Sequence, residues 1–232
     1  MISTPPFRDR PDAGNKLLQL LKGMTFSSSV LIAAIPNGGV PVAIPIATFF
    51  QKFLFVMVAR KIQYPWTTEA GFGAITADGT TAFNTVAIQQ ENLPESVIKI
   101  QVDRAREEVQ KRAQLFRNFL LPENLTSAEI ILVDDGLASG ITTRAAILSL
   151  LKHGGRKVVV AVPTAHKSAV NDIELMSKND QQFSVKIVSP EVKGGWSFAV
   201  ADAYERWYDE ETSTILRALE KYNQQFLTKI RA

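Results

Sequence analysis

The chain has 232 residues, no cysteine and a formal charge of +3, which allows one domain with a full core, or one domain and an appendage. Hydrophobic residues make up 46% and charged residues 21%, values that exclude a disordered or collagen-like chain. The lack of cysteine removes disulfides, thiolate metal sites and a cysteine nucleophile, and so small a charge excess gives no ground to expect nucleic acid as a partner.

Residues 1–10 are polar, contain proline and have no apolar signal core. With the absence of cysteine, this leads to the expectation of a cytoplasmic protein. The most apolar stretch, 30–59, is broken by Pro36, Asn37, Gly38, Gly39, Pro41, Pro45, Gln51 and Lys52, so no run is long enough to span a bilayer and no membrane partner is expected. Residues 30–35 read as a strand buried on both faces, ending at Pro36-Asn37-Gly38-Gly39. A helix over 40–50 follows, with Pro41 in its tolerant first turn and Pro45 less comfortably inside. Residues 53–59 read as a second buried strand that runs into Arg60-Lys61 at its C-terminal end.

The segment 64–84 changes character. Gly71, Gly73 and scattered threonines suggest a hairpin insertion with Asp78-Gly79 as its turn. Gly71-Phe72-Gly73 lacks the third glycine of a dinucleotide fingerprint, and residues 69–73 are a candidate flap over a substrate. Residues 94–119 carry the longest helical pattern, with Ile98, Val102, Ala105, Val109 and Phe116 on one face and mixed charges on the other. Strands are expected at 129–133, 157–163 and 183–188, and helices at 142–153, 168–176 and 212–230. Strands alternating with helices indicate an α/β fold, a doubly wound, mainly parallel five-stranded sheet with helices on both faces, in a single domain. In such sheets ligands bind at the C-terminal strand ends.

The chemistry concentrates in Ile130-Ile131-Leu132-Val133-Asp134-Asp135-Gly136-Leu137-Ala138-Ser139-Gly140-Ile141-Thr142. A buried strand carries two adjacent carboxylates at its tip, and a loop of small residues then opens a helix. Backbone N–H groups at Ala138–Thr142, the hydroxyls of Ser139 and Thr142 and the helix dipole together favour an anion such as a monophosphate. A carboxylate repels phosphate but accepts hydrogen bonds from sugar hydroxyls or meets a metal ion, so the expected ligand is a phosphorylated sugar.

This stretch resembles the signature of type I phosphoribosyltransferases, which bind 5-phosphoribosyl 1-diphosphate (PRPP). The resemblance implies that Asp134 and Asp135 contact the ribose hydroxyls and that Ala138, Ser139, Gly140, Ile141 and Thr142 hold the 5′-phosphate. It also implies a diphosphate loop after the first core strand, often containing a cis non-proline peptide, where Asn37, Gly38 and Gly39 stand. Arg60 and Lys61 fall where that family receives the same diphosphate. Phe7-Arg8-Asp9-Arg10, Pro36-Asn37-Gly38-Gly39-Val40 and Arg60-Lys61 are similar to a group of bacterial and archaeal phosphoribosyltransferase-domain proteins. Asn37 stands where that group has arginine, which removes one cation. Ala138 stands where purine-salvage members have an aspartate near the purine N7, which weakens a hypoxanthine/guanine-type role.

What the resemblance implies is transfer of a phosphoribosyl group from PRPP to a nitrogenous base with release of diphosphate. Mg²⁺ would be the cofactor, bridging diphosphate and ribose hydroxyls, with Asp134 and Asp135 reaching it through water. By analogy the partner state is a homodimer. Two rival readings remain, a PRPP-binding regulator without turnover and a phosphohydrolase using the acid pair. The acceptor is unread; the candidate hood lies at 190–210, where residues 193–198 suit a base-binding lip or a packed loop. Tyr204, Trp207 and Tyr208 read as core, His153 as a helix cap and His166 as a candidate to face the site.

Overall fold

The computed structural model describes residues 5–68, 70–126, 128–178, 183–195 and 198–231. The chain opens with helix α1 (Arg10–Lys22), strand β1 (Leu31–Ala34), helix α2 (Gly39–Phe50), and strands β2 (Leu54–Val56), β3 (Ala59–Gln63), β4 (Gly71–Thr76) and β5 (Thr81–Phe83). Helices α3 (Thr85–Gln90) and α4 (Glu95–Leu115) follow, then β6 (Glu129–Val133), α5 (Ile141–Lys152), β7 (Lys157–Ala161), β8 (Thr164–His166) and α6 (Lys167–Lys178). Strands β9 (Ser184–Val188) and β10 (Glu191–Lys193) precede the last helix, α7 (Thr212–Arg231). Among the described residues no helix is long and apolar enough to cross a membrane.

The central sheet is parallel throughout, in the order β2-β1-β6-β7-β9. Its strands are short continuous apolar runs because both faces are covered. The two-residue period of a strand divides them. Ile32, Ala34, Ile131 and Val133 face α1, α2 and α7, whereas Ala33, Ile35, Ile130 and Leu132 face α5 and α6. The sheet order reverses between β1 and β6, so the loops leaving these two strands diverge and open a crevice at their C-terminal ends. The edge strand β2 is closed by a side chain. Asn223 of α7 accepts from Leu54 N at 2.9 Å and donates to Leu54 O at 3.0 Å, satisfying backbone that would otherwise be an unpaired edge.

Where one strand was expected over 53–59, the structure has two elements. β2 stops at Val56, and the chain turns into β3, which carries Arg60 and Lys61 in a separate antiparallel sheet of order β3-β4-β5. An unbroken apolar run hides such a break, because Val56, Met57 and Val58 are all buried, whichever core receives them. The second sheet lies against α4 and packs on the start of α5 through Ala74, Ala82, Ile141 and Ala145, which suspends β3 over the crevice.

Helix α1 was not anticipated. Asp9 caps it by accepting from Asp12 N, proline sits in its first turn, and Leu17, Leu18 and Leu21 are buried. α1 lies so close to α2 that a Cβ on Gly14 would fall 2.3 Å from Val42 O. The long helical pattern ends earlier than expected, at Leu115, and continues as a 3₁₀ turn over Arg117–Phe119. β8 and β10 form a further small parallel pair.

Candidate active site

A cleft of about 970 Å³ lies at the switch point. On one side the loop after β6 supplies Asp134 and Asp135, and the following turn runs into the N-terminus of α5. Leu137 fastens this turn to β8, its N–H donating to Thr164 O at 2.9 Å and its carbonyl accepting from His166 N at 2.7 Å. That anchorage leaves Ala138 and Ser139 exposed at the cleft. Gly140 takes φ +72° at the helix N-cap, a left-handed conformation that glycine adopts without a Cβ clash. Ser139 Oγ sits 3.5 Å from Ile141 N. The first N–H groups of α5 have no partner within the helix and open on the cleft.

The loop after β1 forms the adjoining wall, and its Pro36–Asn37 peptide is cis. Gly38 presses on the acid pair: a Cβ there would meet Asp135 Oδ2 at 1.8 Å. A Cβ on Gly39 would fall 2.7 Å from Val133 O. These two positions must be free of side chain for the β1 loop and the β6 loop to share one floor. Gly136 plays the same part towards the 198–201 segment, since its Cβ would fall 2.4 Å from Val200.

Burial dominates the electrostatics of the acid pair. It drives the carboxyl of Asp134 well above its ordinary pKa, the neighbouring charge of Asp135 adds to this, and Asp135 is raised in the same direction by burial first. Arg10 opposes the shift. Its Nε donates to Asp135 Oδ2 at 2.9 Å and its Nη1 to Tyr208 O at 2.8 Å. Glu210 lies 3.6 Å from the same guanidinium, which is 5% exposed and stacks 4.0 Å over the ring of Trp207. Tyr204 adds a hydroxyl that donates to Asp135 O at 2.6 Å.

Arg10 is held there by backbone pairing of the N-terminal segment with the 203–206 segment: Phe7 N to Ala203 O at 3.0 Å, Glu205 N to Phe7 O at 2.8 Å and Arg206 N to Arg8 O at 2.9 Å. Sequence reasoning singled out Phe7-Arg8-Asp9-Arg10 but gave it no function. Two adjacent acids at the tip of a doubly buried strand, with no cation beside them in sequence, were the signal that could have prompted the search.

The far wall is basic. Arg60 and Lys61 line the cleft from β3, and Arg60 Nε donates to Glu108 Oε2 at 2.9 Å. The side chain of Asn37 bridges this wall to the 210–212 segment: Oδ1 accepts from Arg112 Nη2 at 2.6 Å, and Nδ2 donates to Glu210 O at 2.5 Å and lies 3.3 Å from Thr212 Oγ1. The cleft thus brings together Asn37, Gly38, Arg60, Lys61, Asp134, Asp135 and residues 138–142; Gly39 lies behind its neighbour, packed on Val133.

Tyr204 is core. Trp207 instead borders the cleft and Tyr208 is exposed, both close to Arg10. His153 follows α5 and bridges Glu123 O and Asp78 Oδ2. His166 is engaged by Ser168 Oγ and Gly195 O, beside Phe198. The candidate flap begins at Glu69, and the 193–198 lip includes Trp196 and Ser197; these three residues lie outside the described ones. Gly71-Phe72-Gly73 lies in β4, where the register against β3 shifts between Ile62 and Gln63.

A parallel sheet of this order, with an acid pair and a helix-opening loop at its switch point, puts the crevice where open α/β sheets bind their ligands. Residues 12–194 match the phosphoribosyl transferase domain family, and the chain belongs to it. It is 38% identical over 157 residues to two curated proteins of Mycobacterium tuberculosis, "Putative phosphoribosyl transferase MT0597" and "Putative phosphoribosyl transferase Rv0571c". The match covers 68% of this chain and 35% of each relative. Among solved structures it is similar to TT1426 from Thermus thermophilus, with a TM-score of 0.71 and 28% identity over 93% of this chain and 98% of that one.

Proposed function

We propose that the protein transfers the 5-phosphoribosyl group of PRPP to a nitrogenous base and releases diphosphate, taking PRPP as its Mg²⁺ complex. The observation that carries this reading is one cleft with three chemically distinct parts: a helix N-terminus opening on it, two carboxylates at its floor and cations on its far wall. A ligand bearing a phosphate, neighbouring hydroxyls and a diphosphate satisfies all three.

In this reading the backbone of Ala138, Ser139, Gly140, Ile141 and Thr142 and the hydroxyls of Ser139 and Thr142 hold the 5′-phosphate. Asp134 and Asp135 accept from the ribose hydroxyls. The 37–39 loop, Arg60 and Lys61 receive the diphosphate, Asn37 through its backbone because its side chain is engaged elsewhere. Catalysis then rests on positioning and on stabilising the departing charge.

Among the described residues no group of three or more histidine or acidic side chains could hold a metal ion. Two carboxylates are too few oxygens for a dedicated octahedral site, so the donor set suits an ion that arrives on the substrate and keeps several waters. When bound it neutralises charge on the diphosphate.

The test is diphosphate release from PRPP and Mg²⁺ across a panel of nucleobases. Base-dependent release is the expected result. Binding of PRPP without release by any base would support a regulator instead. That second reading is favoured by one observation: Ala138 places a methyl group at the cleft, and a methyl group cannot move a proton to or from the base. Phosphate release without a base would point to hydrolysis.

A further inference from the structure

Half-buried in α4, Arg112 reaches the same cleft that the acid pair floors. Its Nη2 donates to Asn37 Oδ1, yet among the described residues it forms no ion pair, and its buried Nε–H has no acceptor. The nearby acid is already committed, since Glu108 lies 2.9 Å from Arg60 and 3.7 Å from Arg104. Burial lowers the pKa of the Arg112 guanidinium, and the charge of Arg60 lowers it further. Arginine stays charged nonetheless, so the fold keeps a desolvated cation beside a second cation without a counter-charge. Such an arrangement is unfavourable unless an anion completes it.

We infer that Arg112 is a further diphosphate-binding cation of this cleft, beside Arg60 and Lys61, its fork oriented by the Asn37 amide and its remaining N–H groups left for phosphate oxygens. The inference rests on the transfer reading above and adds to it a residue from a helix that sequence reasoning assigned to packing and solvent. The neutral amide of Asn37 explains the geometry. It fixes one N–H of the guanidinium while leaving the positive charge uncancelled, which a carboxylate at that position would not do. An Nε–H with no acceptor marks a side chain whose hydrogen bonding is incomplete in the ligand-free cleft, and a small swing towards the diphosphate would complete it.

The experiment compares calorimetric affinities for PRPP, inorganic diphosphate and ribose 5-phosphate in wild type, Arg112→Gln and Arg112→Lys. Glutamine keeps a donor for Asn37 and removes the charge. The expected result is a loss of about 10- to 100-fold for PRPP and diphosphate in Arg112→Gln, the range of one charge-assisted contact. Ribose 5-phosphate, which has no diphosphate, should change by less than about threefold, and Arg112→Lys should fall between wild type and Arg112→Gln. Equal loss for all three ligands would show that Arg112 merely props the 37–39 loop, and unchanged PRPP affinity would show that it is not used; either result overturns the assignment. A wild-type protein that bound neither PRPP nor ribose 5-phosphate would instead bring down the transfer reading itself, and this inference with it. Should Arg112→Gln fail to fold, a loss in Arg112→Lys confined to PRPP and diphosphate supports the assignment in its place, and an equal loss for ribose 5-phosphate overturns it.

Discussion

On the floor of the cleft, Arg10 touches Asp135 at 2.9 Å, has Glu210 at 3.6 Å and stacks over Trp207; on the far wall, Arg112 reaches one amide oxygen and, among the described residues, no carboxylate. Both are guanidinium groups withdrawn from water in the same cavity. The first has its charge matched by the fold, so its removal would strand two buried acids. The second has its charge held but unmatched, so its removal would be felt chiefly when an anion is present. Partnering therefore separates the cation that builds this site from the cation that serves it, although both line the cavity.

Breaking the floor should give the largest effect. Arg10→Met leaves Asp135 and Glu210 without their cation, and loss of one partner of a buried pair costs about 3–5 kcal/mol. For a domain of this size that is a fall in melting temperature of roughly 10 °C, readable by thermal or urea denaturation. Adding Asp135→Asn to this variant should recover at least about 1 kcal/mol, because the stranded charge is then gone. A loss below about 1 kcal/mol in Arg10→Met would mean that the floor is neutralised by something other than Arg10.

Asp135→Asn alone tests what the floor does for the ligand. It keeps one oxygen acceptor and removes the charge that ribose hydroxyls would meet. Transfer activity should fall about 100-fold, the scale of one polar contact that strengthens in the transition state. Near-normal turnover in that variant would remove Asp135 from the ribose site.

Gly38→Ala comes next. Gly38 has φ −63°, which alanine adopts freely, so any effect is steric. The new methyl would occupy the place of Asp135 Oδ2 and must push that carboxylate from Arg10. A loss of about 1–3 kcal/mol is expected, together with weaker ribose 5-phosphate binding. Gly79→Ala is the control: it has φ +82° with nothing within 4 Å of its Cβ, and should lose about 1 kcal/mol of stability without touching ligand affinity. If the two variants lose ligand affinity alike, the contact between the β1 loop and the acid pair is not what shapes the floor.

The floor was largely legible in the sequence because it is local. Strand, acids, small loop and helix start follow one another through residues 130–142, and each announces itself by residue type alone. The five core strands were legible for a related reason, since doubly buried strands are continuous apolar runs bounded by turn residues. The partners of the floor were not. Arg10 is 125 positions from Asp135, and Arg112 is 75 from Asn37, so only the packed chain brings them together. Arg60 and Lys61 were placed on the main sheet although they belong to the second one, because buried apolar residues carry no mark of which core they enter. Helix α1 did carry its signals in Asp9, Pro11, Leu17 and Leu21, but its function depends on pairing with residues 203–206 at the other end of the chain.

Asp78 sharpens the account of the floor with the smallest expected effect. Burial acts on it as on Asp134, pushing its pKa up, but hydrogen bonds from Thr76, Thr80 and Lys152 outweigh burial and hold the carboxyl far below its ordinary 3.8. The two acids therefore tilt stability in opposite directions with pH. A depressed carboxyl stabilises the fold above its unfolded-state pKa, and the contribution drains away as pH falls through the folded-state value. A raised one, as on the floor, loses stability as pH rises from the ordinary carboxylate value towards its own. Asp78→Asn should thus cost about 1 kcal/mol near neutrality, allowing for partial solvent screening of this turn. The gap to wild type should stay level down to about pH 5 and shrink below about pH 4. Asp134→Asn should do the reverse, gaining on wild type as pH rises. Urea denaturation of the three proteins across that range decides the matter. Parallel curves would show that Asp78 and Asp134 titrate alike, and that hydrogen bonding to the hairpin turn does not separate the carboxylate of that turn from the one that lines the cleft.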